Sequence, residues 1–209
     1  MRYKTTPPPL YNDVLALADY LLAFARINRA TRHPDGNRPE TDSDHTAMLS
    51  MVAIGLAPFF RLDTGKLAAY ATVHDFPEVI AGDTTTIFAS TDNVEEIRKG
   101  KAEREARAIE ILKDDLGDAF PNIFTWIEAY EAQADPESRF IKVLDKVLPK
   151  LTHVLNKGAS LGSLSSADVR KSHDQQYADL RSRYGEEFPA LLKLLLESMH
   201  EAQMVKDRG

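Results

Sequence analysis

The sequence predicts an all-α protein, and three observations support this fold class. Apolar residues recur mainly three and four positions apart, the spacing that gives a helix one apolar face. Alternation of apolar and polar residues, which marks strands, is weak. Capping residues, prolines and glycines separate the apolar stretches into segments of ordinary helix length.

Length and composition indicate one globular unit. The chain has 209 residues, of which 43% are hydrophobic and 28% charged, so it is long enough to bury a core. We expect one domain over residues 1–157, with residues 158–209 as a C-terminal helical extension packed on the same domain. The net charge of −6 argues against nucleic-acid and membrane partners, because both require a basic surface.

The expected compartment is the cytoplasm. The chain has no cysteine, which excludes disulfides and thiolate metal sites and fits a reducing environment. Its first ten residues hold Arg2, Lys4 and three prolines and lack the apolar run of a signal peptide.

The N-terminal part is expected to hold two helices joined by a loop. The first helix covers about residues 12–27, and its apolar stripe consists of Leu15, Ala18, Leu22 and Ala25. Residues 29–41 are rich in arginine, proline and glycine and are expected to form a loop. The second helix begins near Ser43 or Asp44 and extends to Pro58.

A third helix is expected to begin after Asp63, a favourable N-cap, and to be disturbed at Pro77. A loop follows over residues 82–93. Residues 157–164 are rich in glycine and serine and are the best linker candidate. Five further helices are expected over residues 94–112, 120–132, 135–156, 165–185 and 189–204.

Four side chains are candidate ligands of a divalent metal. His74 and Asp75 are adjacent in the third expected helix, where side chains point about 100° apart and can flank one buried point. His45 and Asp145 each lie on an apolar helical stripe, where an unpaired polar group is costly. Imidazoles with carboxylates suit a divalent metal. The alternatives are a core histidine bonded to a backbone carbonyl for His45 and, for Asp145, a salt bridge to a lysine or arginine such as Lys142 or Lys146.

The order and spacing of these four residues resemble the HD superfamily of metal phosphohydrolases. Further motifs, over roughly residues 12–156, resemble one branch of it, the HD-domain 5′-deoxynucleotidases of bacteria and their eukaryotic relatives. Those motifs are Ile27-Asn28-Arg29, Arg38-Pro39-Glu40-Thr41-Asp42-Ser43-Asp44-His45, Val73-His74-Asp75 with Glu78, Gly82-Asp83, and Glu137-Ser138-Arg139-Phe140-Ile141-Lys142 before Leu144-Asp145-Lys146. The resemblance implies an HD-domain helical bundle.

The resemblance also assigns roles to individual residues. It implies four metal ligands: His45, His74, Asp75 and Asp145. It implies acid or base catalysis by Glu78 and phosphate binding by Arg29, and Asp83 matches a family aspartate near the substrate sugar and the reacting water. These roles are chemically consistent, since a carboxylic acid can protonate a leaving alkoxide and an arginine fork matches phosphate.

Two positions depart from the family pattern. Ala30 stands where the family often has a tryptophan that stacks near the deoxyribose, so selectivity for deoxy sugars stays open. Pro77 lies between the dyad and Glu78, where we expect it to kink the helix and change the direction of Glu78.

Basic residues elsewhere are candidate substrate contacts. Arg29 and Arg38 belong to a basic cluster within an acidic chain, which suggests a small anionic ligand; the alternative is a solvated loop paired with acids. Lys101 and Arg104 could reach phosphate from the charged helix, although such a helix face is more often solvated.

The expected activity is release of phosphate from a nucleoside 5′-monophosphate, with a deoxynucleotide as one option. The alternatives are a deoxynucleoside triphosphate triphosphohydrolase of the HD type and a non-catalytic HD scaffold that binds metal and nucleotide. Val79 after Glu78 disfavours the guanosine-tetraphosphate hydrolases of the superfamily, which carry Glu-Asp after the dyad.

One divalent ion is expected, from among Mn, Fe, Co, Ni and Zn. HD enzymes with two metals carry extra histidines between the dyad and the last aspartate, and no histidine lies between Asp75 and Asp145. A homodimer is also expected, and the Leu-rich last helix either supports it or caps the bundle.

Overall fold

The computed structural model describes residues 10–35, 37–83 and 94–208, and it confirms the all-α fold class. The helices are α1 (Tyr11–Phe24), α2 (Asp42–Phe60), α3 (Thr64–Val73), α4 (Glu78–Ala81), α5 (Val94–Leu116), α6 (Pro121–Ala132), α7 (Pro136–Leu155), α8 (Ser166–Tyr184) and α9 (Pro189–Arg208). Two short strands, β1 (Asn28–Arg32) and β2 (Pro39–Thr41), and a 3-10 helix (Ala159–Leu161) complete the described elements. The loop expected over residues 82–93 falls outside the described residues from residue 84 onwards.

The prediction of a loop over residues 29–41 is wrong, because two short strands in this segment pair as an antiparallel hairpin. Asn28 pairs with Thr41 and Arg32 pairs with Pro39, with an irregularity between the two pairs. The strands have only five and three residues, too few for an alternating pattern to stand out in the sequence. The hairpin places β2 directly before α2.

The N-terminus of α2 is fixed by a capping box. The Thr41 side chain accepts a hydrogen bond from the Asp44 amide, and the Asp44 carboxylate accepts one from the Thr41 amide. The buried residues of α2 recur at helical spacing: Asp42, His45, Leu49, Ala53 and Ala57. The cap therefore sets the phase of the helix so that His45 faces the interior.

The sequence predicts a kink at Pro77 in the third helix, but the structure has two separate helices here. The first ends at Val73, His74 is its C-cap residue, and the next helical residue is Glu78. A turn over residues 74–77 joins the two helices, with the Glu78 amide bonded to the Asp75 carbonyl at 2.8 Å. His74 and Asp75 thus lie on a buried turn and not in the middle of a helix.

The core is organised around α7, whose apolar face is fully buried in residues such as Phe140, Leu144 and Leu148. Leu191 and Leu195 of α9 belong to the same core cluster. The Leu-rich face of α9 therefore caps the bundle within one chain.

The linker expected over residues 157–164 is instead an ordered turn. Its Ser160 is buried and accepts a hydrogen bond from the Arg32 amide of β1 at 2.8 Å. Asn156 also donates to Ser160 and to the Arg32 carbonyl, so the segment is tied to the hairpin.

The helix α1 covers the bundle with a different face from the one expected. Phe24 is its buried residue, with Leu17 and Tyr20 packed against the core, whereas Leu15 and Leu22 of the expected stripe are 53% and 62% exposed. No described helix is both long enough and apolar enough to cross a membrane.

Candidate metal centre

The structure brings the four expected ligands together. His45 comes from α2, His74 and Asp75 from the turn after α3, and Asp145 from α7. One ligand atom of each lies within 4.8 Å of the others. The Nε2 atom of His45 is 3.0 Å from Oδ1 of Asp145, and Nε2 of His74 is 3.0 Å from Oδ2 of Asp75. Three separate parts of the chain thus converge on one buried point.

The chemistry of this cluster fits a divalent cation. Nδ1 of His74 lies 2.9 Å from the Ala71 carbonyl oxygen, to which it donates, while Nε2 is buried without a hydrogen bond. This partner leaves a lone pair on Nε2 directed into the cluster. Two imidazoles and two carboxylates form a donor set suited to a divalent transition metal.

Both carboxylates of the cluster are held in the ionised form. Burial alone would raise the pKa of Asp75, but its interactions with His74 and with the guanidinium of Arg29 outweigh burial and bring the pKa well below its usual value. Burial alone would likewise raise the pKa of Asp145. The charge of Lys146 outweighs burial and brings this pKa well below its usual value, since Nζ of Lys146 lies 2.7 Å from Oδ2 of Asp145. The expected alternative of a lysine salt bridge therefore coexists with the contact to His45.

Arg29 of β1 connects the hairpin to the cluster. Its guanidinium donates to Oδ1 of Asp42 at 2.9 Å and to Oδ2 of Asp75 at 2.8 Å. Burial alone would lower the pKa of Arg29, but the surrounding carboxylates, Asp75 first, raise it further above its usual value. A permanent positive charge therefore lies beside a candidate metal ligand.

A second group of carboxylates adjoins the first. Ligand atoms of Asp42, Asp75 and Glu78 also lie within 4.8 Å of one another. Oδ2 of Asp42 and Oε2 of Glu78 are buried and have no hydrogen-bond partner. Asp83 is partly buried, and its charge acts on Arg29 and on the other carboxylates. The expected catalytic residues Glu78 and Asp83 thus lie next to the four candidate ligands.

Glu78 is bonded to a lysine from α5. Nζ of Lys101 donates to Oε1 of Glu78 at 2.7 Å, and Glu78 is 1% exposed. Burial, followed by the charge of Asp75, raises the pKa of Glu78 to about 9, while Lys101 opposes the rise. Burial therefore favours the protonated form of Glu78, which is the form that a general acid requires.

The remaining expected substrate contacts, Arg38, Lys101 and Arg104, differ in their distance from the metal cluster. Arg38 is 57% exposed and donates to Asp44 at 3.0 Å, so it supports the N-terminus of α2. Arg104 lies on the exposed face of α5. Lys101 contacts Glu78 and Glu105, and the structure places it beside a candidate catalytic carboxyl.

Sequence reasoning gave no role to Glu40, which lies beside the metal cluster. Oε1 of Glu40 is 3.8 Å from Nδ1 of His45, and Oε2 accepts a hydrogen bond from the Thr31 hydroxyl. Asp42 was missed in the same way, although it is fully buried and bonded to Arg29. A signal was available for Asp42, which lies three positions before His45 and so shares its helical face.

Comparison with known proteins identifies relatives of this chain. The sequence profile described as HD domain matches residues 25–187. The protein 5′-deoxynucleotidase HDDC2 is 29% identical in Homo sapiens, over 63% of this chain and 63% of that protein. Its counterpart in Danio rerio is 32% identical, over 53% of this chain and 52% of that protein. The matched region thus spans between about half and two thirds of these curated relatives.

A solved structure shares the fold. It is described as a predicted metal-dependent phosphohydrolase from Magnetospirillum magnetotacticum, with a TM-score of 0.63 and 24% sequence identity. The superposition covers 91% of this chain and 97% of the other. With a profile match over most of its length and the His-Asp cluster at its centre, the chain belongs to the HD domain family.

Proposed function

We propose that this protein is a metal-dependent phosphohydrolase that releases phosphate from a nucleoside 5′-monophosphate. The observation that carries the proposal is the contact between Arg29 and Asp75, which joins an anion-binding group to the cluster of His45, His74, Asp75 and Asp145. The name 5′-deoxynucleotidase of the curated relatives supports a nucleotide substrate.

Each group of residues in the site has a separate role in the proposed reaction. A divalent ion held by the two imidazoles and two carboxylates would supply a water of lowered pKa and polarise the phosphoryl oxygen. Arg29 binds and orients the phosphate through its guanidinium fork. Glu78, whose pKa is raised by burial, donates its proton to the leaving 5′ oxygen of the nucleoside. Asp83 orients the substrate sugar and the reacting water.

The proposed cofactor is one divalent ion from among Mn, Fe, Co, Ni and Zn. The mixed nitrogen and oxygen donors of the cluster support a first-row transition metal. The neighbouring group of Asp42, Asp75 and Glu78 is already neutralised in part by Arg29 and Lys101, which supports a single ion at the His-Asp cluster.

A second copy of this chain is the proposed partner. The proposed compartment is the cytoplasm, and nucleic acid is not among the proposed partners. The exposed apolar stripe of α1 and its N-cap residue supports a homodimer, because among the described residues it combines large apolar side chains with no charge: Leu10, Tyr11, Val14, Leu15, Leu21 and Leu22. Each of these residues is about half exposed or more, and a contiguous apolar patch of this kind is typical of an interaction surface. An uncharged face also lets two acidic chains approach each other.

We propose the same domain organisation that the sequence predicts. Residues 1–157 form the catalytic unit, and residues 158–209 pack on it as a helical extension. Leu191 and Leu195 of α9, which pack in the core formed by α7, support this arrangement.

A phosphate-release screen tests the function. Nucleoside mono- and triphosphates, in ribo and deoxy forms, are crossed with divalent ions, and an Asp75→Ala variant serves as the control. Inorganic phosphate from a monophosphate, lost in the variant, is the expected result. Release of tripolyphosphate from a triphosphate would favour a triphosphohydrolase, and no hydrolysis under any ion would favour a binding scaffold.

A further inference from the structure

We propose that Lys101 is a positioning residue that fixes the carboxyl group of Glu78 for proton transfer. This inference rests on the proposed role of Glu78 as the general acid. It differs from the expectation that Lys101 binds the substrate phosphate. In this proposal, a residue of α5 sets the orientation of the Glu78 carboxyl group.

The contacts of Lys101 support positioning. Its Nζ donates to Oε1 of Glu78 at 2.7 Å and lies 3.3 Å from Oε1 of Glu105, one turn further along α5. The side chain of Lys101 is 27% exposed, while that of Glu78 is 1% exposed. Lys101 therefore lies between two carboxyl groups, and its inner contact is with the buried one.

The surroundings of Glu78 explain why it requires such a partner. A carboxyl oxygen of Glu78 lies within 4.8 Å of carboxylate oxygens of Asp42 and Asp75. Arg29 compensates Asp42 and Asp75 at 2.9 and 2.8 Å. Lys101 provides the matching positive contact for Glu78, so that one of its oxygens is held and Oε2 is left without a partner.

Glu78 and Lys101 lie on helices of very different length. It is the first residue of α4, which has only four residues and follows Pro77 without a side-chain cap. The helix α5, by contrast, has 23 residues and carries Lys101 on its inner side. The contact with Lys101 therefore fixes the Glu78 side chain from a second, longer helix.

Four variants test the proposal: Lys101→Met, Lys101→Arg, Glu78→Gln and the double variant Lys101→Met/Glu78→Gln. Lys99→Met is the matched control, because Lys99 lies on the same helix, is 79% exposed and pairs only with Glu103 in the described contacts. We expect Lys101→Met to lower kcat at least ~10-fold, with KM and metal affinity within about twofold. Lys101→Arg recovers most of the loss, and Lys99→Met matches the wild type.

The double variant separates positioning from independent action. If Lys101 acts through Glu78, the double variant is no slower than Glu78→Gln alone. Losses that add, or a Lys101→Met variant that raises KM with kcat unchanged, would overturn the proposal and return Lys101 to substrate binding.

A crystal structure of the Lys101→Met protein gives a test that does not depend on turnover. We expect the Glu78 carboxyl to shift or become disordered while His45, His74 and Asp145 keep their places. An unmoved Glu78 would refute positioning even if the protein hydrolysed no nucleotide, whereas absence of hydrolysis by the wild type would contradict only the proposed function.

Discussion

Nε2 of His45 and Oδ1 of Asp145 lie 3.0 Å apart although one hundred positions separate the two residues in the chain. His45 reaches this point from the first turns of α2 and Asp145 from the middle of α7. Both helices contribute fully buried side chains to the same core cluster, Leu49 and Leu144 among them. Packing of the bundle therefore builds the candidate metal site, and each ligand depends on the fold.

The replacement Asp145→Asn tests the site most directly. It keeps the size of the side chain but removes the negative charge that faces two imidazoles, so we expect the affinity for a divalent ion to fall by more than ~100-fold. The measurement is competition with a fluorescent chelator. Asp174→Asn is the matched control, because Asp174 also follows a histidine but lies exposed on α8. Equal affinities for the two variants would contradict the assigned ligand set.

The candidate ligands could be predicted from sequence for a physical reason. A histidine or aspartate on an apolar helical stripe conflicts with burial unless it is paired, and His45 and Asp145 show that conflict without any structure. The HD resemblance then supplied their grouping with His74 and Asp75. The structure agrees with the grouping but places the dyad on a turn, since Pro77 ends the helical path earlier than expected.

The place of Glu40 beside His45 and the contact of Lys101 with Glu78 could not be predicted, because both arise from tertiary contacts; the sequence indicates Lys101 only as a candidate phosphate contact. Glu40 is buried only when two short strands pair, and those strands leave no periodic signal. Lys101 lies on a helix with charges along most of its length, so the sequence does not distinguish it from exposed neighbours such as Lys99. The stripe of α1 shows a related limit, because helical spacing identifies an apolar face but not what covers it.

The replacement Glu40→Gln should weaken metal binding without removing a ligand. The carboxylate of Glu40 lies 3.8 Å from Nδ1 of His45, which is buried and has no hydrogen-bond partner. A carboxylate in this position favours the tautomer that keeps the Nε2 lone pair for an ion, and its loss typically costs ~10–100-fold in affinity. The chelator competition described for Asp145 measures the change. Thr31→Val, which removes only the hydroxyl that contacts Glu40, should have a smaller effect, and an unchanged affinity in Glu40→Gln would refute the role.

The replacement Arg29→Gln should raise KM for the nucleotide more than it lowers kcat. Glutamine keeps a donor near Asp42 and Asp75 but lacks the charged fork that binds phosphate. Arg29→Lys should recover only part of the affinity, because a single ammonium cannot bind two phosphate oxygens in the same plane. Steady-state kinetics check this, with Arg26→Gln, an exposed member of the same basic segment, as the control. A KM that stays constant would move the phosphate anchor elsewhere.

The replacement Leu15→Arg/Leu22→Arg should convert a dimer to a monomer. Two positive charges placed on the uncovered stripe of α1 would have to be buried at the proposed interface. Light scattering coupled to size exclusion gives the mass of each form. Leu155→Arg/Leu196→Arg is the matched control, because these leucines are 60% and 48% exposed but lie on other helices. A monomeric wild type would contradict the dimer, and a dimeric variant would place the interface on another surface.

Acid should loosen the attachment of α8 and α9 through two buried histidines. His153 of α7 and His173 of α8 are 3% and 5% exposed, and each pKa is lowered to about 3, by burial first and then by the charge of Lys150. His173 is also bonded to the Met199 carbonyl of α9. Both rings therefore favour the neutral form in the folded protein well below the usual histidine pKa.

The direction of the pH effect follows from the lowered pKa values. In the unfolded chain each histidine takes up a proton near pH ~6.5, so between about pH 6.5 and 3 the unfolded state binds more protons than the folded state. The stabilising contribution is complete above pH ~6.5 and falls below it with a limiting slope of about 1.4 kcal/mol per pH unit for each ring. Urea unfolding of the wild type and of His153→Gln/His173→Gln at pH 7.5 and 5 measures this contribution. The variant should lose less stability on acidification, whereas His200→Gln, which replaces an exposed histidine on α9, should behave as the wild type. Parallel pH profiles for the wild type and the double variant would show that these histidines are not the acid-sensitive groups.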